Sequence, residues 1–316
     1  MHRVSFLIPL LPLVLVTPAH AAEIVVDGQD ACLAIGGDWA SGETCVVHRL
    51  VVPQGTTLVI AAGVGLASDG PIRNYGVLDT RGWFRPDGPT LNRGTLITRG
   101  ITVNGDELTN EGTFLNYGWL HPHSRIASYG VFENEGYFET CTGQFENYGY
   151  MRNGNAIENW GGLIVNHAIA VNDGYIYNPS DWYEIANYGG FENNGEVINH
   201  GVLPVGCGGA WYGTGTFSGN PVEYEPCDPA LAIEQLNADI FELGPQQEDF
   251  LTKAQVVSLT SKTARAGKRP GESAALVEAF VEEVGELVAD GVLPRHIGAS
   301  LIGRVDRIAV LLAGGA

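Results

Sequence analysis

The chain has 316 residues, with 36 Asp or Glu against 17 Lys or Arg, and its formal net charge of −19 speaks against nucleic acid as a partner. An acidic surface of this kind keeps a long repeat protein in solution, and it also attracts divalent cations or a basic partner.

Met1-His2-Arg3 leads into an apolar run from Val4 to Val16, followed by Thr17-Pro18-Ala19-His20-Ala21. The run is too short to span a bilayer comfortably, and Ala19-His20-Ala21 has the small-x-small form that a signal peptidase accepts. Residues 1–21 therefore read as a secretory signal peptide cleaved after Ala21. The expected destination is extracellular or the cell surface, with the periplasm as the other exported compartment. The later apolar run Ile308 to Ala313 is far too short to cross a membrane, so no transmembrane segment is expected in the mature chain.

Four of the five cysteines form two close pairs, Cys32 with Cys45 and Cys207 with Cys227. In an exported, oxidised chain both pairs are expected to be disulfides, each constraining the unfolded chain by about 3 kcal/mol on the loop-entropy model. Cys141 is left over, either as a buried free thiol or in an intermolecular disulfide. No cysteine falls in a zinc-ligand spacing, and no metal is assigned.

Residues 22–70 hold short β-rich runs, Val46 to Val52 and Thr56 to Ala61, punctuated by Pro53-Gln54-Gly55 and Gly63. They read as a disulfide-stapled cap and first coil, which would cover the open edge of the next coil.

Residues 71–227 read as solenoid repeats and a C-terminal cap, and between residues 74 and 205 they restate Asn-x-Gly-x-(Leu/Phe/Ile)-x. The glycines fall at Gly76, Gly82, Gly94, Gly100, Gly112, Gly118, Gly130 and Gly136, so that two phrases recur every eighteen residues. Three hexads per coil predict a three-sided parallel β-helix, an all-β fold, with roughly eight coils stacked over about 40 Å. The spacing suits the left-handed triangular helix and also short-coil right-handed helices such as the bactofilins, so it leaves the hand open. Copies aligned at Asn74, Asn92 and Asn110 are regular and that from Ser128 is one residue longer, whereas those from Asn147, Asn166 and Asn187 drift by one to three residues and predict bulges or widened corners.

Glycine at a corner permits positive φ or close backbone approach. The apolar positions predict three inward ladders: Leu78, Leu96, Phe114 and Phe132; Phe84, Thr102, Leu120 and Phe138; Leu91, Leu108, Ile126 and Phe145. Asparagine tolerates left-handed geometry and, stacked as Asn74, Asn92, Asn110, Ser128 and Asn147, can form an amide ladder along the axis. The one glycosylation-like triplet, Asn178-Pro179-Ser180, is excluded by its proline.

Residues 228–316 change character. Pro229 to Leu243 and Asp249 to Arg265 are separated by Gly244-Pro245. Leu276, Val277, Phe280, Val281, Val284, Leu287 and Val288 recur at three- and four-residue steps, as do Ile297, Leu301, Ile302, Val305, Ile308 and Leu312. This predicts a small all-α hairpin or bundle with one apolar face per helix.

The phrases Asn-Tyr-Gly-Val-Leu-Asp, Asn-Glu-Gly-Thr-Phe-Leu and Asn-Asn-Gly-Glu-Val-Ile resemble the Asn-x-Gly-x-Ile repeats of exported prokaryotic surface proteins. Val52 to Ile60 is similar to the strand that often starts their β-helices. The C-terminal segment resembles the FIMAH domain, a helical module at the ends of secreted prokaryotic proteins. The matching residues are Leu276 to Phe280, Val284, Gly291, Ala299, Leu301, Ile302, Arg304, Ile308 and Leu312; Gly267 to Gly271 and Pro294-Arg295-His296 fit loosely. The resemblance implies a non-enzymatic role.

On a filled rod, function sits at outward positions. One row stacks Trp83, Ile101, Trp119 and Tyr137, and another Tyr75, Arg93, Glu111, Tyr129 and Tyr148. The aromatic members, Trp83, Trp119, Tyr137, Tyr75, Tyr129 and Tyr148, are the candidate binding residues for a sugar or a protein surface, or else cross-strand pairs that stabilise the sheet. Glu133, Glu135, Glu139, Glu146 and Glu158 would supply a glycosidase pair only if two of them faced a cleft. His121-Pro122-His123 lacks a third metal ligand and reads as an exposed turn. No nucleophile elbow, phosphate loop or cofactor motif occurs. These readings point to a non-catalytic structural or adhesive surface protein that binds a protein or polysaccharide along one face. The alternative is a polysaccharide-active β-helix enzyme.

Overall fold

The computed structural model describes residues 22–207, 209–243, 250–269, 272–293 and 295–313. The signal peptide expected at residues 1–21 lies outside the described residues, as do the breaks Gly244-Pro245 and Pro270-Gly271.

The chain winds into a β-solenoid of about nine coils with three sheets, one more coil than the repeat count suggests. In each repeat the first face carries strands such as Val77–Thr80, the second such as Phe84–Pro86 and the third such as Thr90–Asn92. We call these faces I, II and III; they hold ten, eleven and ten strands. Pairing is parallel except for one hairpin, Asp38–Ala40 against Thr44–Val47, in the N-terminal cap. Helix α1, Gln29–Ala34, joins that cap through the Cys32–Cys45 disulfide. Cys207–Cys227 is also disulfide-bonded, with Cα atoms 5.0 Å apart, beside the start of the helical region.

Two of the predicted apolar ladders are buried as expected, with Leu78, Leu96, Phe114 and Phe132 under face I and Phe84, Thr102, Leu120 and Phe138 under face II. Under face III the register pairs Thr90, not Leu91, with Leu108 and with Ile72, so Leu91 points outward and is half-buried. The middle coils are filled by phenylalanine. Phe132 lies 5.3 Å from Phe114, 5.6 Å from Phe138 and 4.7 Å from Phe145 between ring centroids. Each such ring removes apolar area from water worth about 2–3 kcal/mol, the main term holding coils together.

The repeat glycines do not adopt positive φ. They are required by close approach: a Cβ on Gly94 would lie 2.0 Å from the carbonyl oxygen of Gly76, and one on Gly118 1.9 Å from that of Gly100. Nor do the asparagines take left-handed geometry; among the described non-glycine residues only Glu43 has positive φ. Their side chains turn inward at the strand ends and form ladders at all three corners. Asn74 donates to Asn92 and Asn92 to Asn110, each at 2.7 Å. Thr98, Asn116, Asn134, Asn153, Asn172 and Asn193 continue one such series at the I–II corner, and Thr140, Asn159, Asn178 and Asn199 another at the II–III corner. Many of these amides also donate to a backbone carbonyl one coil on, satisfying an acceptor that a corner removes from the sheet.

Beyond the solenoid lie α2 (Pro229–Glu242), α3 (Lys253–Lys268), α4 (Ser273–Ala289) and α5 (Arg295–Leu312). Asp228 caps α2 through the Ala230 amide, with proline at the first helical position. A reciprocal Thr252–Gln255 capping box starts α3. The bundle is not a free tail. Helix α5 packs on face I, where Gly190 and Gly303 clear space for Ser300 and Tyr212, while its Arg307 lies 4.0 Å over the ring of Tyr224 in the last strand of face III. Among the described residues no helix is long and apolar enough to cross a membrane.

Candidate ligand-binding face

Through the coils from Trp119 to Asn193, coil length grows only between faces II and III; one coil further on the III–I corner lengthens too, since Asn187 pairs with Val205 but Gly190 with Ala210. Between faces II and III the corner has two residues at His123-Ser124, three at Cys141-Thr142-Gly143 and at Trp160-Gly161-Gly162, and five at Pro179–Tyr183. Over the same coils the other two corners keep two residues each. The drift seen in the repeat is thus a widening corner, and the sheets themselves carry no extra residue. In repeat proteins, insertions collect on the face that meets a partner.

This corner borders an aromatic surface. On face II, Trp119 pairs with Tyr137 in the neighbouring strand, ring centroids 6.2 Å apart and edge to face. Tyr175 and Tyr177 continue the face two and more coils on, and Trp160 on the corner meets Tyr177 at 5.8 Å. Trp119 and Trp160 are more than two-fifths exposed, and Trp182, on the five-residue corner, is 90% exposed. Two carboxylates lie among these rings on registered strands. Glu139 accepts from Trp119 Nε1 at 3.0 Å. Glu158 accepts from both Tyr137 Oη, at 2.6 Å, and Trp160 Nε1, at 2.7 Å, on the same oxygen, Oε2. Burial, and then the bond to Glu158, pushes the Tyr137 phenol well above its ordinary pKa, so it stays a donor at any physiological pH.

The six aromatic candidates from the sequence fall on two surfaces. Trp119 and Tyr137 lie on face II, edge to face. Trp83 is on the same face but its ring covers Gly65 of the preceding coil, which makes it a packing residue. Tyr75, Tyr129 and Tyr148 lie at the III–I corner. There Tyr129, Tyr148, His167 and Tyr188 stack nearly parallel at 4.8, 4.5 and 5.5 Å, so their flat faces are used up on one another. Tyr75 is separated from that stack by the Arg93–Glu111 ion pair. The edge-to-face rings of face II keep more of their faces open to a flat ligand.

The five glutamates are spread around the rod. Glu133 is on face I, and Glu135 at the I–II corner pairs with Arg152. Glu146 on face III takes Arg125 at 2.5 Å, which holds its carboxyl below the usual range. Only Glu139 and Glu158 are neighbours. Cavities of about 330 and 660 Å³ lie where α2 and α5 meet the solenoid and between α2 and α3, and neither is lined by a face II residue. His121 is not in a turn but in the strand Trp119–Pro122, its ring 4.8 Å from that of His123. Cys141 is free and half-buried, less buried than expected. Burial, and then its bond to Glu139, pushes the Cys141 thiol up to about 11.

Trp160, Trp182, Tyr175 and Tyr177 escaped sequence reasoning because they do not share the eighteen-residue spacing. The signal that would have found them is the coil-length drift itself. Comparison of the chain with protein-family models, with curated proteins and with solved structures finds no match.

Proposed function

We propose that the protein is an exported, non-catalytic β-solenoid of the cell surface or extracellular matrix that binds a polysaccharide along face II and its widening corner. The observation that carries this reading is that, through the coils from Trp119 to Asn193, insertions collect at the corner that bears Trp160 and Trp182, beside Trp119, Tyr137, Glu139 and Glu158. Sugar rings stack their C–H faces on exposed aromatics, and their hydroxyls donate to carboxylate oxygens; Glu158 Oε1 is placed to accept one. Two disulfides and the signal-like N-terminus agree with an oxidising, exported setting. The similarity of the helical end to FIMAH modules of secreted proteins points the same way. The α5 contacts with face I suit a domain that ends and buttresses the rod while leaving face II open.

The test is retention of the purified chain on a panel of neutral and acidic insoluble polysaccharides, with reducing-end release followed in parallel. Trp160→Ala and Trp182→Ala should each weaken retention roughly tenfold, about what a buried aromatic contact contributes, and Tyr129→Ala should leave it unchanged. Retention indifferent to both tryptophans, or absent from the whole panel, would sink the glycan reading. Oligosaccharide release abolished by Glu158→Gln would instead establish an enzyme.

A further inference from the structure

Beside face II, His121 and Cys141 have no part in the glycan reading, yet both meet Glu139 in one half-buried cluster. His121 in the strand Trp119–Pro122 and Glu139 in the next strand, Tyr137–Thr140, face each other, His121 Nδ1 lying 3.7 Å from Glu139 Oε2. Two residues past Glu139, at the first widened corner, Cys141 Sγ donates to Glu139 Oε1 at 3.3 Å. The imidazole, carboxylate and thiol ligand atoms all lie within 4.8 Å of one another. We propose that His121, Glu139 and Cys141 form a zinc site that clips two successive coils together.

The geometry fits that ion. Tetrahedral zinc with its usual bonds to N, O and S separates its ligand atoms by about 3.3–3.7 Å. His121 Nδ1 meets Glu139 Oε2 at 3.7 Å and Cys141 Sγ meets Oε1 at 3.3 Å, so the carboxylate lies between the other two ligands, and small side-chain rotations bring one of its oxygens and the other two atoms, all within 4.8 Å, to those spacings. The donor set is nitrogen, sulfur and one carboxylate, which suits a borderline-soft ion and not calcium or magnesium, whose sites are built from several oxygens. His121 and Glu139 are held on neighbouring strands with side chains 19% and 18% exposed, and Cys141 reaches them from the corner. Trp119 Nε1 donates to Glu139 Oε2 at 3.0 Å, and the Trp119 and His123 rings contact that of His121 edge to face. Such outer partners orient the ligands before the ion arrives. Zinc takes Cys141 as thiolate, and the proton now donated to Glu139 leaves to solvent. The site also gives a reason for one unpaired cysteine in a chain whose other four are bridged.

The experiment is a Co²⁺ titration of the full chain, stripped of metal under nitrogen with both disulfides intact, followed by competition of Zn²⁺ and of Ca²⁺ against the bound cobalt. One equivalent of Co²⁺ should bring up the thiolate-to-cobalt charge-transfer band in the near ultraviolet and the visible bands of a tetrahedral ion. Zn²⁺ should displace it and protect Cys141 from iodoacetamide. Cys141→Ser should abolish the charge-transfer band. His121→Asn should keep the thiol but weaken cobalt binding by at least about a hundredfold, more than the loss of an outer partner costs. Protection of the unaltered chain is read without any variant, so a misfolded Cys141→Ser chain does not decide the outcome. No charge-transfer band, unprotected Cys141, affinity unchanged in His121→Asn, or displacement by Ca²⁺ as readily as by Zn²⁺ each overturns the proposal.

Discussion

Asn134 is completely buried between two coils, accepting at Oδ1 from Asn116 at 2.7 Å and donating from Nδ2 to Asn153 at 2.8 Å and to the Ala156 carbonyl at 2.9 Å. Removing this amide leaves polar atoms of three neighbours short of a partner where water does not reach. Asn134→Ala should therefore lower stability by about 3 kcal/mol, since each unmade buried bond costs about 1–3 kcal/mol and neighbouring losses do not add fully. Urea unfolding followed by far-ultraviolet circular dichroism measures it. The exposed Asn155→Ala should stay within about 0.5 kcal/mol of the unaltered chain, and equal effects would show that burial does not set the cost.

Gly118 and Gly285 should respond to alanine with opposite signs. A Cβ on Gly118 meets the Gly100 carbonyl oxygen at 1.9 Å, whereas around Gly285, exposed in α4, nothing lies within 4 Å. Gly118→Ala forces the coils apart and should cost more than about 3 kcal/mol, comparable to severe overpacking. Gly285→Ala should add roughly 0.5–1 kcal/mol from helix propensity. Melting temperatures of the two variants give the signs directly.

Where every residue of a phrase serves the stack, the sequence is legible. The eighteen-residue period gives three faces, the inward phenylalanines and the Asn74–Asn92–Asn110 ladder, because parallel stacking forces identical positions into identical surroundings. Thr90 is the informative miss. An apolar rule selects Leu91, but the strand is only three residues long, and its register with Ile72 and Leu108 turns the neighbouring threonine inward. The face II site was half legible: Trp119 and Tyr137 keep the period, but Trp160 and Trp182 sit on insertions that break it. His121, Glu139 and Cys141 are spread over twenty-one residues, and only the coil-to-coil register brings them together.

Thr90 and Thr102 sit in successive coils, are almost fully buried, and their hydroxyls have no hydrogen-bond partner. Thr102 lies between Phe84 and Leu120 on the neighbouring coils, so a methyl in place of the hydroxyl meets an apolar wall on both sides. Thr102→Val should stabilise by about 1 kcal/mol by removing an unsatisfied buried group. Thr98 is as buried, but its hydroxyl donates to Asn116 Oδ1 at 2.9 Å, so Thr98→Val should destabilise by about 1–2 kcal/mol. A fall in the melting temperature of Thr102→Val would mean that its hydroxyl is satisfied in solution.

Two histidines should titrate in opposite directions. His48 joins the cap to the first coil, with Nδ1 2.8 Å from Asp69 and Nε2 3.3 Å from Asp38; the bond to Asp69 leads in raising its pKa above 6.5. Its contribution is complete below pH 6.5 and is lost as pH rises through the raised value, and salt should weaken it because the pair is exposed. His167 is held between Tyr148 and Tyr188, and burial lowers its pKa below 6.5. That stack is at full strength above pH 6.5 and weakens as pH falls through the lowered value, because the unfolded chain takes up the proton first. Imidazole proton shifts followed by NMR from pH 4.5 to 8.5 should place the two midpoints on opposite sides of about 6.5. Asp69→Asn should bring the His48 midpoint down and leave that of His167 where it was. A His48 midpoint unmoved by Asp69→Asn would rule out the ion pair as its cause.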